Sequence, residues 1–230
     1  MSVSVVVLAA GKGTRMKSNL PKVLHKVLGK AILAHSLDTL SFIEDQYVVV
    51  GHESDMVIDS LPSSTKHIMQ KDQLGTGHAV ATVVSDDLFV DNKSEFTVVV
   101  PGDVPAIDAK DIELLISEVE TKSSPVGFLT AIVDNPYGYG RVIRNIDETR
   151  IVEEKDCIDD EREINEINSG IYCFKTDFLI ENIDSLDTKN AQGEFYLTDL
   201  IGIANNQKQD IVIVQVDENS IKGINSMSQL

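Results

Sequence analysis

The stretch that decides the fold is Val3-Ser-Val-Val-Val-Leu-Ala-Ala-Gly-Lys-Gly-Thr-Arg-Met16. Residues 3–9 form an almost continuous apolar run rich in β-branched side chains, which is typical of a strand that is covered on both faces. Gly11 and Gly13 follow at once, where the chain must turn away from the strand. The pattern predicts a buried strand that ends in a glycine-rich loop.

Further β-branched runs recur along the chain and alternate with stretches of helical apolar periodicity. An order of strand, helix, strand, helix is typical of parallel crossovers. We therefore predict an α/β fold of Rossmann-like type, with a doubly wound, mixed but mainly parallel sheet flanked by helices. The predicted strands are 3–9, 47–50, 96–100, 126–133, 171–174 and 211–216, and the predicted helices between the first four are 31–42, 54–61, 76–88 and 108–119.

The alternation changes character after about residue 120. Segments 139–144 and 150–154 flank a polar, turn-like patch at 145–149, which predicts an antiparallel hairpin. The charged segment 156–166 is expected at the surface, and 194–206 and the residues from 220 onward are expected to be helical. Because no linker rich in Pro, Gly or Ser is present, we predict a single domain over 1–230, with a nucleotide-binding half at about 1–120 and a second half at 121–230.

Composition and charge narrow the classes of function. The chain has 230 residues, a net charge of −17 and 42% hydrophobic residues, so it is long enough for a sizeable core and is ordinary for a globular protein. A field of this sign repels nucleic acid and anionic lipid, and no apolar run reaches about 18 residues, the length of a membrane helix. We expect neither nucleic acid nor a membrane as partner. Two cysteines, read as buried, inert thiols, favour the cytoplasm.

The charge is unevenly distributed. Residues 1–37 carry six basic side chains and no acidic one, while the rest of the chain carries fourteen basic against thirty-seven acidic side chains. A local excess of positive charge in an acidic protein indicates an anion site, although a solvated basic helix face is the alternative.

The glycine loop has the chemistry of a phosphate-binding loop. Its free main-chain N–H groups can approach an anion closely, and Lys12 and Arg15 add positive charge. A dinucleotide fingerprint would need a third glycine where Met16 stands, and the Walker ending Gly-Lys-Ser/Thr is not present. The loop is therefore predicted to bind phosphate, but neither as a dinucleotide-binding loop nor as a Walker loop. A plain strand-to-helix turn is the alternative.

Asp103 lies at the end of the strand predicted over 96–100, within Pro101-Gly-Asp-Val-Pro105. The carboxyl ends of parallel strands meet at one edge, so this carboxylate is expected beside the glycine loop. Magnesium binds through one or two protein oxygens together with phosphates and water. We predict that Asp103 is a magnesium ligand, with a turn-capping aspartate as the alternative.

Seven motifs follow one another along the chain. They are Gly11-Lys-Gly-Thr-Arg-Met16 with Pro21-Lys22, Gln70-Lys-Asp-Gln-Leu-Gly-Thr-Gly-His-Ala79, Gly102-Asp-Val-Pro105, Gly138-Tyr-Gly-Arg141, Ile151-Val-Glu-Glu-Lys155, Glu166-Ile-Asn-Ser-Gly170 and Asn190-Ala-Gln-Gly-Glu-Phe-Tyr-Leu-Thr-Asp199. In this order they resemble the sugar-nucleotidyltransferase superfamily and, within it, the uridylyltransferase half of the bacterial bifunctional N-acetylglucosamine-1-phosphate uridylyltransferase/glucosamine-1-phosphate acetyltransferase family. The resemblance implies Mg²⁺-dependent transfer of a uridylyl group from UTP to N-acetylglucosamine 1-phosphate, for cell-wall and lipopolysaccharide precursors.

The resemblance also implies roles for individual residues. Arg15 and Lys22 are expected to act in catalysis on the pyrophosphate and the α-phosphate, and Asn225 is expected to join Asp103 at the metal. Since uracil needs an acceptor for its N3–H, the amide of Gln70 is a suitable partner. The expected nucleotide-binding residues are Leu8, Ala9, Ala10, Gly11, Gly13, Lys22, Gln70, Gln73, Gly75 and Thr76, and the expected sugar-binding residues are Gly140, Glu153 and Asn168.

Alternatives remain open at this point. They are a nucleotidyltransferase for another base or sugar, a catalytically silent sensor of a sugar nucleotide, and a dinucleotide-binding dehydrogenase. The family's second half is a hexapeptide β-helix that builds a trimer. Because no hexapeptide repeat occurs in these 230 residues, we expect no acetyl transfer from them. The five histidines have no shared metal spacing and are assigned no role.

Overall fold

The computed structural model describes residues 1–145 and 148–230. The strands are β1 Val3–Leu8, β2 Lys26–Val27, β3 Lys30–Ala31, β4 Asp45–Val50, β5 Lys66–Met69, β6 Phe96–Pro101, β7 Val126–Ile132, β8 Arg141–Arg144, β9 Thr149–Val152, β10 Glu166–Lys175 and β11 Ile211–Gln215. The α-helices are α1 Ile32–Thr39, α2 Ser54–Ser60, α3 Thr76–Val84, α4 Asp87–Val90, α5 Ala109–Thr121, α6 Asp159–Arg162, α7 Thr176–Asn182 and α8 Asp199–Asn206.

One mixed sheet organises the molecule. In the described part of the chain it has nine strands, with the main order β11-β7-β10-β6-β1-β4-β5 and the hairpin β8–β9 attached to β10. β6, β1, β4 and β5 run parallel to one another, β11 is parallel to β7, and β10 is antiparallel to both β6 and β7. The predicted α/β fold, mixed but mainly parallel, is confirmed.

The sheet is buried on both faces because successive side chains of its central strands enter different cores. Val5 and Val7 of β1 pack with α1, α2 and α5, whereas Val6 packs on the opposite face with α3, α4, α7 and α8. All three valines have no exposed surface. This double burial explains why β1 is a run of β-branched residues without polar alternation.

The parallel strands bring the predicted site to one edge of the sheet. β1 ends at Leu8 and is followed by Ala9, β5 ends at Met69 and is followed by Gln70, and Asp103 comes two residues after the end of β6. β10 runs in the opposite direction, so its first residues lie at the same edge. Ligands of doubly wound folds bind outside such an edge.

Most predicted elements are present, including the antiparallel β8–β9 hairpin. Of its predicted turn, Ile146 and Asp147 lie outside the described residues. The charged segment 156–166 is largely exposed and contains the short helix α6.

Three predicted helices were wrong in whole or in part, and some elements, such as β5 and α7, were not predicted. β5 was missed, because its alternating burial is that of an edge strand rather than of a buried run. The helix predicted over 76–88 is two helices, since the Asp86 side chain caps the N–H of Leu88 and starts α4. The helix predicted over 194–206 begins only at Asp199, and the segment from 220 onward is a loop with short 3₁₀ turns.

Two further findings concern the whole described chain. Across residues 1–145 and 148–230, none of the helices combines the length and the apolar character that crossing a bilayer requires. Cys157 and Cys173 are both buried and unpaired, as predicted, and burial raises the pKa of each thiol.

Candidate active site

The glycine loop after β1 folds against Lys22. A 3₁₀ turn, Thr14–Met16, buries the Met16 side chain and holds the loop at its far end. Gly13 has a φ of +56°, and a Cβ there would lie 2.7 Å from Cβ of Lys22. A side chain at this position would push the loop away from Lys22, so glycine is required by both the backbone and the packing.

Two cations and two oxygen ligands meet beside this loop. Lys22 Nζ donates to Asp103 Oδ2 and, at 3.1 Å, to Asn225 Oδ1. Arg15 Nη2 donates to the same Asn225 oxygen at 2.9 Å. The N–H of Ile224 donates to the Asp103 carbonyl at 2.9 Å and holds this C-terminal segment in place. The four residues named for catalysis and metal binding therefore form one connected group.

The chemistry of this group fits a magnesium ion. Asp103 offers a carboxylate oxygen and Asn225 an amide oxygen, both hard ligands that converge on one ammonium group. Among residues 1–145 and 148–230, no cluster of three or more His, Cys, Asp or Glu side chains could hold a metal ion. An ion held by Asp103 and Asn225 would therefore take its remaining ligands from phosphate and water.

A cavity of about 640 Å³ runs from this group along the edge of the sheet. It is large enough for a nucleoside phosphate or a sugar nucleotide. Three predicted residues lie outside its lining, namely Gly13, Arg15 and Asn225. Arg15 is bonded to Asn225, and Asn225 is bonded to Lys22, which lines the cavity. The other thirteen predicted residues line it, namely Leu8, Ala9, Ala10, Gly11, Lys22, Gln70, Gln73, Gly75, Thr76, Asp103, Gly140, Glu153 and Asn168.

One part of the cavity wall is formed by the segment that follows β5. Gln70 is 3% exposed, and its Nε2 donates to the carbonyl of Gly75 at 3.2 Å. Gly75 has a φ of +112°, and a Cβ there would lie 2.5 Å from the carbonyl oxygen of Phe195. Thr76 Oγ1 accepts from the N–H of Leu197 at 3.1 Å. These contacts bind the Gln70 segment firmly to the segment that precedes α8.

Another part of the cavity wall is built on β9 and on an irregular point of β10. The register of β10 against β7 shifts between Asn168 and Tyr172, and Asn168 Nδ2 donates to the Tyr172 hydroxyl at 2.6 Å. The Asn168 N–H donates to the Gly140 carbonyl at 2.8 Å. The bulge turns the Asn168 side chain into the cavity wall beside Glu153.

Glu153 is held in an unfavourable environment for a carboxylate. Burial, together with the nearby Asp156, Asp199 and Glu194, raises the pKa of Glu153 to about 7, although a hydrogen bond from Thr198 opposes the rise. Burial likewise raises the pKa of Asp199 to about 6. The part of the cavity around Glu153 therefore carries hydrogen-bonding groups and negative charge. Such groups suit the hydroxyls and amide of a ligand rather than its phosphates.

A buried arginine holds the segments that carry Gly140 and Glu153. Arg141 is 2% exposed, and its guanidinium bonds to the Tyr139 carbonyl and, at 2.9 Å, to the Glu154 carboxylate. The same carboxylate accepts from the Gly138 N–H at 2.9 Å and from Arg162 at 2.8 Å. The network fixes residues 138–140 and β9 relative to each other, and with them Gly140 and Glu153.

Comparison with known proteins identifies the family. Residues 5–144 match the model of the MobA-like NTP transferase domain. The chain belongs to the MobA-like NTP transferase family. It is therefore a nucleotidyltransferase domain.

Curated relatives of this NTP transferase domain carry the name bifunctional protein GlmU. The protein from Fervidobacterium nodosum is 44% identical over 228 residues, which cover 99% of this chain and 49% of that protein. The one from Lactococcus lactis subsp. lactis is 46% identical over 222 residues, covering 95% of this chain and 48% of that protein. The chain thus spans about half the length of the curated relatives it matches.

A solved structure supports the fold of the NTP transferase. The structure comes from Bacillus anthracis, is named as a glucose-1-phosphate thymidylyltransferase, and was determined in complex with sucrose. It covers 94% of this chain and 87% of its own, with a TM-score of 0.75 and 20% identity. At this identity the match carries the fold and nothing finer.

Sequence reasoning left several cavity residues of the NTP transferase unassigned. Five of them could have been found from the sequence. Glu194, Leu197 and Thr198 lie in the motif at 190–199, and Ser169 and Gly170 follow Asn168 directly. Tyr172 had no such signal, because it reaches the cavity only through the β10 bulge. Tyr196 is buried, and its hydroxyl donates to Asp156 Oδ2 at 3.0 Å.

Proposed function

We propose that this domain transfers a uridylyl group from UTP to N-acetylglucosamine 1-phosphate, giving UDP-N-acetylglucosamine and pyrophosphate. The resemblance seen in the sequence implies this reaction, and relatives named GlmU match nearly the whole chain. The observation that carries the proposal is one cavity whose wall brings together Lys22 and Asp103, the amide of Gln70 and the carboxylate of Glu153. Arg15 is linked to Lys22 through Asn225.

Charge neutralisation is the main task of the residues around the glycine loop. The attacking sugar phosphate is already ionised at neutral pH, so no general base is needed, and the leaving pyrophosphate must be stabilised. Lys22 and Arg15 supply positive charge for the pyrophosphate and the α-phosphate, and the N–H groups around Gly11 and Gly13 add donors. Removing one such donor typically costs about 2.7–4 kcal/mol of transition-state stabilisation.

Asp103 and Asn225 are the residues that would hold Mg²⁺. When bound, the ion neutralises charge on the phosphate oxygens. Lys22 bonds to both of these residues and lines the cavity, so its ammonium group is also placed to bind a phosphate oxygen.

Two sets of cavity residues select the substrates. Gln70, Gln73, Gly75 and Thr76 bind the uridine part, with Leu8 to Gly11 along the nucleotide. The hydroxyls and acetamide of the sugar meet Glu153, Asn168 and the Gly140 backbone.

The compartment, the oligomeric state and the partners are part of the same proposal. Two unpaired buried thiols fit a reducing compartment such as the cytoplasm. A trimer is expected for the full-length form that carries the second half. Neither nucleic acid nor a membrane is expected as a partner of an acidic protein.

The test is pyrophosphate release with and without Mg²⁺, from each of UTP, CTP, ATP, GTP and dTTP, with N-acetylglucosamine 1-phosphate or glucose 1-phosphate as acceptor. We expect Mg²⁺-dependent turnover that is highest for UTP with the acetylated sugar, and its loss in Asp103→Asn. Asp91→Asn, at an exposed position, serves as the matched control and keeps full turnover. Tight binding of UDP-N-acetylglucosamine without turnover would instead support a sensor, and a different preferred pair of substrates would refute the assignment.

A further inference from the structure

The amide of Gln70 has both of its hydrogens bonded to acceptors of the protein. Its Nε2 lies 3.2 Å from the carbonyl oxygen of Gly75 and 2.9 Å from Nδ1 of His78. A primary amide has two N–H hydrogens, and these two bonds use them both. Across the described residues, no protein donor is bonded to Gln70 Oε1, although the side chain forms part of the cavity wall. The group that Gln70 offers to a ligand is therefore an acceptor.

His78 contacts this amide from behind the cavity wall. It is the third residue of α3, is half-buried, and is not among the residues that line the cavity. Its ring stacks on Phe195, with centroids 6.3 Å apart and an interplanar angle of 29°. The ring is thus held in place by packing and by the helix, while its Nδ1 faces Gln70.

The hydrogen bonds assign the tautomer of His78. The carbonyl of Gly75 can only accept, so Nε2 of Gln70 must face that side. Nδ1 of His78 then accepts the second amide hydrogen, and the ring proton lies on its own Nε2. If the amide turned over, Gln70 Oε1 would face the Gly75 carbonyl, which can only accept.

We propose that His78 is a positioning residue that sets base selection through Gln70. By accepting from Gln70 Nε2, it keeps Oε1 turned toward the cavity, where an acceptor selects a pyrimidine whose N3 carries a hydrogen. Uracil has that hydrogen, whereas N3 of cytosine has a lone pair that an amide oxygen repels. The inference rests on the proposed function, since it assumes that the base of the nucleotide binds at Gln70.

The experiment compares kcat/KM for UTP and for CTP in the wild-type protein and three variants. His78→Phe keeps an aromatic ring against Phe195 and removes the acceptor. His78→Asn restores an acceptor, because its amide oxygen is as far from Cβ as Nδ1 is in histidine. His67→Phe, at an exposed position on β5, is the matched control.

We expect the UTP-to-CTP ratio to fall about three- to tenfold in His78→Phe, the range of one neutral hydrogen bond. The ratio should return to within about twofold of wild type in His78→Asn, and it should be unchanged in His67→Phe. A purely structural role for His78 would lower kcat/KM for both nucleotides equally and leave the ratio intact, and that result would overturn the inference.

A second measurement does not depend on the folding of a variant. Long-range ¹⁵N–¹H spectra of the wild-type protein report which ring nitrogen of His78 carries the proton. A proton on Nε2 supports the inference, and a proton on Nδ1 overturns it. Failure of the proposed function is distinguishable, since the wild-type protein would then show no preference for UTP over CTP.

Discussion

Replacing Glu153 by glutamine should stabilise the domain at alkaline pH. Burial raises the pKa of this carboxyl from 4.5 to about 7. Between these two values the unfolded chain releases the proton while the folded chain keeps it, so stability falls as the pH rises. Below pH 4.5 both states are protonated and the carboxyl has no effect, and above pH 7 the loss is complete. Since one pKa unit is worth about 1.4 kcal/mol, the full cost is about 3 kcal/mol.

The assay is urea unfolding of the wild-type protein and of Glu153→Gln at two pH values. The variant should gain about 3 kcal/mol at pH 8 and about half of that at pH 5.5, which lies only one unit above the pKa of the unfolded chain. Glu113→Gln, at an exposed position of α5, is the control and should change stability by less than about 0.5 kcal/mol at either pH. An equal gain at both pH values, or no gain at pH 8, would refute the link between burial and proton uptake.

Three further outcomes are expected. Arg15→Ala should lower turnover by about 10²–10³-fold, while its unfolding free energy stays within about 0.5 kcal/mol because the side chain is exposed; near-normal turnover would contradict its catalytic role. Arg141→Met should lower the unfolding free energy by about 3 kcal/mol in urea titrations, because the variant lacks the buried guanidinium that pairs with the Glu154 carboxylate. An unchanged unfolding free energy would show that this pair is dispensable. Gly13→Ala should cost about 1–2 kcal/mol, and Gly11→Ala, with open space at Cβ, should cost clearly less in the same titration; equal costs would contradict the steric argument.

The buried strands could be predicted because their composition reflects burial on both faces. β1, β6 and β7 have short, continuous apolar runs, which are typical of buried strands. Their predicted bounds differ from the observed ones by no more than one residue. β5 lies at the end of the sheet, where one face is partly exposed, so its sequence alternates and resembles many loops. Its position after β4 along the chain was the only available cue.

Helix ends were harder to predict than helix positions. Apolar periodicity continues from α3 into α4, yet the chain turns at Asp86 because a side-chain cap competes with continuation of the helix. The C-terminal segment from Ser220 has few helix-breaking residues apart from Gly223, but it is held as a loop by bonds to Asp103. Such tertiary contacts override weak local preferences.

The candidate site was predictable where a short motif carries it. The loop residues and Asp103 follow predicted strands closely, so the topology of a parallel sheet places them at one edge. Gln70 follows β5, which was not predicted, and it was named through the family resemblance. Asn225 could be named only through the family resemblance, because neither spacing nor composition links it to Asp103. His78 lies within a recognised motif, but its bond to Gln70 depends on side-chain orientation that the sequence does not encode visibly.

The bond between Arg15 and Asn225 joins residues that are 210 positions apart. Every strand of the described sheet precedes Asn225, the last of them ending at Gln215. All strands of this sheet can therefore pair before the cationic group acquires Asn225. A cut between Gln215 and Asn225 would therefore take one member away from the cationic group while leaving every strand of the described sheet intact.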